Sequence, residues 1–474
     1  MAPNVLCVVL DTARADALEP YGASAGASPA AADLARRGAA LPGVYSTAAW
    51  TLPAHASMFT GLLPRAAGLS QAPGGTPRSV RPRLEALGGR MLPAVLRGAG
   101  YETGAVSANV WVSPHCGFDI GFERFHYIEP RHQMAMQVAG SSGPRQWLGW
   151  AREGLSSRAD DGARDALRVL GGWASERRER PFFWFVNLIE CHSPYLPPRP
   201  WNDLDARGRL RAANDARVHQ SFYGICKACG GRWEIPDSSL QRMRHLYRRS
   251  VAYADAWLGD LLELLDGRGL LEETLVLLTS DHGENLGENR LFGHAFSLDE
   301  RLTHVPLIAA GPGAPAADEG VSSLADLPRI VAEAAGVTDH PYAPGPAPPV
   351  AQFDPPAPAD DARVQRFVRD LELGEAGLER LTAVLTSASD GQRKVVRRNG
   401  RELLYDLDAD PLERSPLEPS AADAGHARLR EAIEAAERAP AEAPVAGTPL
   451  EAAPEASPEE IEELTRQMKL LGYM

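Results

Sequence analysis

Leu275-Val276-Leu277-Leu278-Thr279-Ser280-Asp281-His282 decides the fold. An apolar run that ends abruptly in a carboxylate and an imidazole reads as a strand covered on both faces, delivering polar groups at its carboxyl end. Val5-Leu6-Cys7-Val8-Val9-Leu10 delivers Asp11 in the same way. Between them lies Ala49-Trp50-Thr51-Leu52-Pro53-Ala54-His55-Ala56-Ser57, with a hydroxyl two residues before Pro53 and an imidazole two after it. In open α/β sheets ligands gather outside the carboxyl ends of strands, so positions far apart in sequence can converge there.

Working outward, Glu102 to Ser107 and Phe182 to Leu188 read as further strands, with Val305 to Ala309 as another. Pro29 to Arg37, Arg90 to Gly98 and Gln241 to Leu265 read as helices; the last places Tyr247, Val251, Ala254, Leu258 and Leu261 at helical spacing. The alternation predicts an α/β fold, a mixed central β-sheet sandwiched by helices, over residues 1–338. Residues 339–360, rich in Pro, Ala and Asp, read as a loop. A smaller C-terminal α+β subdomain follows over 361–420, with strands expected at Thr382 to Leu385, Gln392 to Val396 and Glu402 to Leu407. Residues 421–474 read as an Ala/Glu/Pro-rich tail, in which Ser457-Pro458-Glu459-Glu460 opens a terminal helix through a capping box.

Bulk properties narrow the function. A chain of 474 residues, 44% hydrophobic and 23% charged, is an ordinary globular enzyme in composition. A formal charge of −13 argues against nucleic acid or an anionic membrane as a bulk partner. No basic n-region, long h-region or membrane-length apolar run is seen, and five cysteines fit a reducing compartment, so the expectation is cytoplasmic. Cys226 and Cys229 form a lone Cys-x-x-Cys pair, for which an ordinary buried role outranks zinc binding with His219.

Carboxylates from two strands plus one imidazole suit a single Mn²⁺ or Zn²⁺ ion better than Ca²⁺ or Mg²⁺. With Thr51 as alkoxide, these are the parts of a metal-assisted hydrolase of small anionic esters. Thr12 reads as a helix N-cap in preference to a metal neighbour, and His304 as structural.

On these residues the chain resembles the sulfatase branch of the alkaline phosphatase superfamily. Asn4 to Asp16 resembles the branch's opening motif, Ser46 to Gly61 its nucleophile motif, Thr279 to Glu284 its second metal motif, and Leu404 to Pro411 with Glu413 its C-terminal signature. Sulfatases of this branch carry Cys or Ser in Cys/Ser-x-Pro-x-Arg, oxidised to formylglycine. Here Thr51 takes the first position and His55 the Arg position, and the β-methyl of threonine bars formylglycine. The set Asp11, Thr51, Asp281 and His282 resembles relatives that cleave phosphorus esters: phosphonate monoester hydrolases share the carboxylates and imidazole, lipoteichoic acid synthases the threonine.

The resemblance implies a phosphate mono- or diesterase acting through a covalent phosphothreonine, with His192 and His294 meeting the anionic group and Asn109 contacting a substrate oxygen; His55, one helical turn after Thr51, is read as orienting the nucleophile or touching substrate. Direct sulfate-ester hydrolysis by Thr51, phosphotransfer to an alcohol, and a degenerate member that only binds ligands are the alternatives. The loops 69–83 and 129–145 are expected to build the pocket walls.

Overall fold

The computed structural model describes residues 2–72, 75–129, 160–317, 323–418, 420 and 423–442. Its core is a seven-stranded mixed sheet: β1 (Asn4–Leu10), β2 (Ala39–Ala40), β3 (Glu102–Ser107), β4 (Arg124–Tyr127), β5 (Phe182–Leu188), β6 (Thr274–Thr279) and, after a small hairpin of β7 (Asn285–Leu286) and β8 (Phe292–Gly293), β9 (Leu307–Ala310). The spatial order is β2-β9-β6-β1-β5-β3-β4; β6, β1, β5, β3 and β4 run parallel, and β9 runs antiparallel to β6. The near-continuous apolar runs are explained by burial: every residue of β5 and β6 is buried, as is every residue of β1 after Asn4.

One helical layer consists of Pro29–Arg37, Ala163–Ala174 and the 30-residue helix Asp237–Asp266. The other holds Thr51–Thr60, Leu92–Gly98 and Leu327–Ala334. Observed elements begin or end a few residues from the expected bounds, as at Asp237 and Leu307.

Register fixes where function can sit. Val9 pairs with both Thr279 and Asn187, and Ser107 pairs with Asn187, so the four central strands are level near their carboxyl ends. Asp11, Asp281 and Asn109 each lie two residues beyond that level. The chain leaves β1 toward one side of the sheet and returns as β3 on the other, which makes this end the topological switch point.

The C-terminal subdomain differs from expectation in three places. Residues 339–360 are not all loop: β10 (Val350–Phe353) edges a four-stranded antiparallel sheet with β11 (Leu385–Ser389), β12 (Arg393–Arg398) and β13 (Arg401–Asp406). Prolines on both sides of Val350-Ala351-Gln352-Phe353 masked the strand, as an edge position allows. β11 starts where the expected strand 382–385 ends, because Thr386, Ser387 and Ser389 are buried hydroxyls that do not look like strand core. Residues Ala424–Arg438 form a helix packed on this sheet and belong to the subdomain, not to a tail. The expected helix opening at Ser457 and most of the 129–145 loop lie outside the described residues; the 69–83 stretch runs into a helix at Pro77–Ala86.

Candidate active site

Thr51 opens the helix Thr51–Thr60, with Trp50 as its N-cap residue. Pro53 is tolerated because the first turn has no intrahelical acceptor for its missing N–H, and Gly61, at φ 72°, closes the helix. The positive end of the helix dipole therefore meets the hydroxyl, which favours negative charge there. Asn109 donates through Nδ2 to Asp11 Oδ2 at 2.8 Å and approaches Thr51 Oγ1 at 3.4 Å, linking the hydroxyl to a carboxylate.

Asp11, Asp281 and His282 offer one atom each within 4.8 Å of one another, and all three are fully buried. One oxygen of Asp281, Oδ1, accepts the backbone N–H of Thr12 at 3.2 Å and of His282 at 3.0 Å. His282 Nδ1 lies 2.9 Å from its neighbour's carbonyl, Gly283 O, which fixes the tautomer with Nε2 as the free acceptor. Asp11 Oδ1, Asp281 Oδ2 and His282 Nε2 have no hydrogen-bond partner among the described residues. A buried polar atom left bare is costly, and three that converge fit a divalent cation with mixed oxygen and nitrogen ligands. Gly283 is required here, since a Cβ would stand 1.9 Å from Arg301 O.

Electrostatics agrees with geometry. Burial, then the neighbouring Asp281 charge, pushes the Asp11 carboxyl up to about 6. Burial pushes Asp281 up to about 7, partly offset by the Thr12 and His282 N–H groups and the Thr51 hydroxyl. His282, His192 and His294 are each lowered to about 4, burial being the first cause in every case. Without a cation, the site disfavours its own charges.

His294 follows β8 and sits between two other imidazoles, its ring centroid 4.7 Å from that of His282 and 4.9 Å from that of His192. His294 Nδ1 faces Glu284 Oε1 at 3.1 Å, and His192 Nδ1 lies 2.7 Å from Ser193 O. The structure thus gathers Asp11, Thr51, Asn109, His192, Asp281, His282 and His294 at one end of the sheet.

His55 lies against the cluster, its Nδ1 3.5 Å from Asp281 Oδ2. One turn after Thr51, its Nδ1 meets Thr51 O at 2.9 Å, its Nε2 meets Asn187 at 3.3 Å, and its ring packs edge-on against Phe118 and Phe185. It supports the first turn of the helix Thr51–Thr60 from below. Thr12 is not a helix cap: it stands at φ 61°, ahead of the short 3₁₀ turn Ala15–Ala17 whose N-cap is Arg14. His304 meets Pro42 O at 2.7 Å, a structural role. Cys226 and Cys229 are buried free thiols pushed up by burial, and Cys229 contacts Phe292 O.

Two functional neighbours were not singled out from sequence. Asn187 donates to Asp11 Oδ2 at 3.3 Å, and its signal is a lone polar residue in the apolar run of β5. Glu284 is fully buried and held up at about 7, mainly by burial; its signal is the position three residues after Asp281.

A sheet switch point bearing this cluster is the arrangement of an α/β hydrolase with a candidate metal site, and comparison with known proteins identifies the family. The Sulfatase family matches residues 3–337, and the chain belongs to it. Choline-sulfatase of Rhizobium meliloti is 24% identical over 451 residues, 88% of this chain and 82% of that one. Arylsulfatase K of Bos taurus is 36% identical over 118 residues, which span only 21% of its length and 24% of this chain. The structure of phosphonate monoester hydrolase of Agrobacterium radiobacter superposes with a TM-score of 0.61 at 20% identity, over 92% of this chain and 95% of that one. The protein is an α/β ester hydrolase of the sulfatase family.

Proposed function

We propose that the protein hydrolyses phosphate mono- or diesters of a small metabolite through a phosphothreonine on Thr51, with Mn²⁺ or Zn²⁺ held by Asp11, Asp281, His282 and Thr51. The observation that carries this reading is Thr51 itself, a β-methylated alcohol at the head of a helix beside Asn109, where sulfatases need an oxidisable Cys or Ser. The bound cation supplies positive charge that favours the deprotonated hydroxyl and the anionic ester.

The Thr51 oxygen bonds to phosphorus as the bond to the leaving oxygen breaks, and that oxygen takes a proton. Water then attacks phosphorus and returns the threonine hydroxyl. Positioning and charge neutralisation do most of this work, which suits a phosphoryl group. His192 and His294 face the anionic group and are the side chains available to pass the proton. Asn109 spans Asp11 and Thr51, so it aligns the hydroxyl with the metal-facing carboxylate. The likeness to choline-sulfatase favours a second reading, direct sulfate-ester hydrolysis by Thr51.

Turnover of matched aryl phosphate monoester, phosphodiester, phosphonate and sulfate substrates, with protein loaded separately with Mn²⁺ and Zn²⁺, tests the proposal. Phosphorus esters should lead, chelator should silence them, and intact-mass analysis should trap an adduct on Thr51. A clear preference for the sulfate ester would replace this reading with the second one.

A further inference from the structure

Thr12 holds a backbone conformation that a β-branched residue rarely adopts, φ 61°, at the residue after a metal-facing carboxylate. Such a position is strained and persists only where the surroundings over-determine it. Its own side chain gives no help, since Thr12 Oγ1 is buried without a hydrogen-bond partner among the described residues. The restraint comes from the long helix Asp237–Asp266. The hydroxyl of Tyr247 donates to Thr12 O at 2.8 Å and accepts the N–H of Arg14 at 2.9 Å, bridging the two sides of the turn. Tyr247 is fully buried, and Tyr195 packs edge-on against it with ring centroids 5.3 Å apart.

The turn so held has one outward consequence. It aims the Thr12 N–H at Asp281 Oδ1, and together with the His282 N–H this occupies one carboxylate oxygen and leaves Oδ2 turned toward the cluster, 3.4 Å from His282 Nε2 and 3.5 Å from His55 Nδ1. We infer that Tyr247 is a positioning residue that clamps Thr12 in its strained turn and so presents Asp281 Oδ2 to the cation. The inference rests on the proposed reading of Asp281 as a metal ligand. Outer partners of this kind are worth about 10–100-fold in metal affinity.

The test is Mn²⁺ titration of the metal-free full-length protein, followed by the electron paramagnetic resonance signal of free Mn²⁺. Tyr247→Phe should weaken Mn²⁺ binding about tenfold, near the lower end of that range. Tyr253→Phe, which removes a hydroxyl bonded to Asp160 on the same helix, should leave the affinity within twofold. Glycine adopts positive φ without help, so Thr12→Gly combined with Tyr247→Phe should recover most of the lost affinity. This double variant also carries the test if Tyr247→Phe alone fails to fold, and weak binding by the folded double variant overturns the clamp. Equal Mn²⁺ affinity for Tyr247→Phe and the parent overturns it too, and leaves the metal assignment standing. A parent protein that takes up neither Mn²⁺ nor, in competition with a chromogenic chelator, Zn²⁺ overturns both.

Discussion

Two buried clusters of charge meet the segment 281–303 at its two ends, and they differ in whether the chain supplies the cation. On one side, Asp11, Asp281 and His282 converge with no lysine or arginine paired to them among the described residues, and burial pushes Asp281 up to about 7. On the other, Lys394 of β12 lies fully buried between Glu413 Oε1 at 2.9 Å and Glu300 Oε1 at 3.1 Å, and also donates to Leu298 O. Burial works against the ammonium, yet Glu413 and Glu300 outweigh it and hold its pKa above that of an ordinary lysine. Glu413 returns to the segment by accepting the Glu300 N–H at 2.8 Å. Internally compensated charge docks the C-terminal sheet onto the loop region that follows His294. Uncompensated charge, at equal depth, marks where a ligand belongs.

The largest expected effect separates chemistry from binding at the first cluster. Thr51→Ala should lower turnover on the order of a thousandfold or more, because loss of a nucleophile removes the step that every later one depends on. Its Mn²⁺ affinity should fall far less, since three ligands remain. A variant that keeps full turnover would remove Thr51 from the reaction and dissolve the proposed mechanism.

At the second cluster the effect should be on stability alone. Lys394→Met leaves Glu413 and Glu300 facing each other without their cation, which costs about 3–5 kcal/mol for a broken buried pair. Chemical denaturation should report that loss, while Mn²⁺ affinity of the folded variant stays within twofold of the parent. An equal fall in metal affinity would mean that the two clusters are one coupled unit.

Metal removal applies the same logic in reverse. A ligand that binds only the folded state at a hundred times its Kd stabilises it by about 2.7 kcal/mol. Chelation should therefore lower the unfolding midpoint of the parent, and should leave that of a protein with both Asp281→Ala and His282→Ala unmoved. The same shift in both proteins would place the cation elsewhere.

How legible each cluster was in the sequence follows from what makes it. Asp11, Asp281 and His282 end apolar strands, so local pattern alone exposes them, and strand register then brings them together. Thr51 is legible because a hydroxyl stands at the start of a helix whose first turn accepts Pro53. Tyr247 reads only as one apolar position among several on a long helix. Its hydroxyl acquires meaning from a turn 235 positions away. β10 and β11 escaped because proline flanks and buried hydroxyls imitate loop, and only pairing across the antiparallel sheet satisfies them. The surroundings of His55 were hidden for the same reason: its spacing from Thr51 is local, but what it faces depends on Asn187 and Phe185 of β5.

The smallest effect concerns protons at the first cluster. In the metal-free protein burial holds Asp281 at about 7 and Asp11 at about 6, so both carboxyls carry protons at mildly acidic pH. A cation must displace those protons to bind, and affinity is lost as pH falls through these values. The sign is fixed by the raised carboxyls: Mn²⁺ binding should strengthen about twentyfold between pH about 6 and about 8, then level off. His282, lowered to about 4, is already neutral over this range and adds no slope. Titration calorimetry across that interval reads the change directly. A flat profile would mean that the carboxyls ionise as freely as exposed ones, and the contrast with the compensated Lys394 cluster would then vanish.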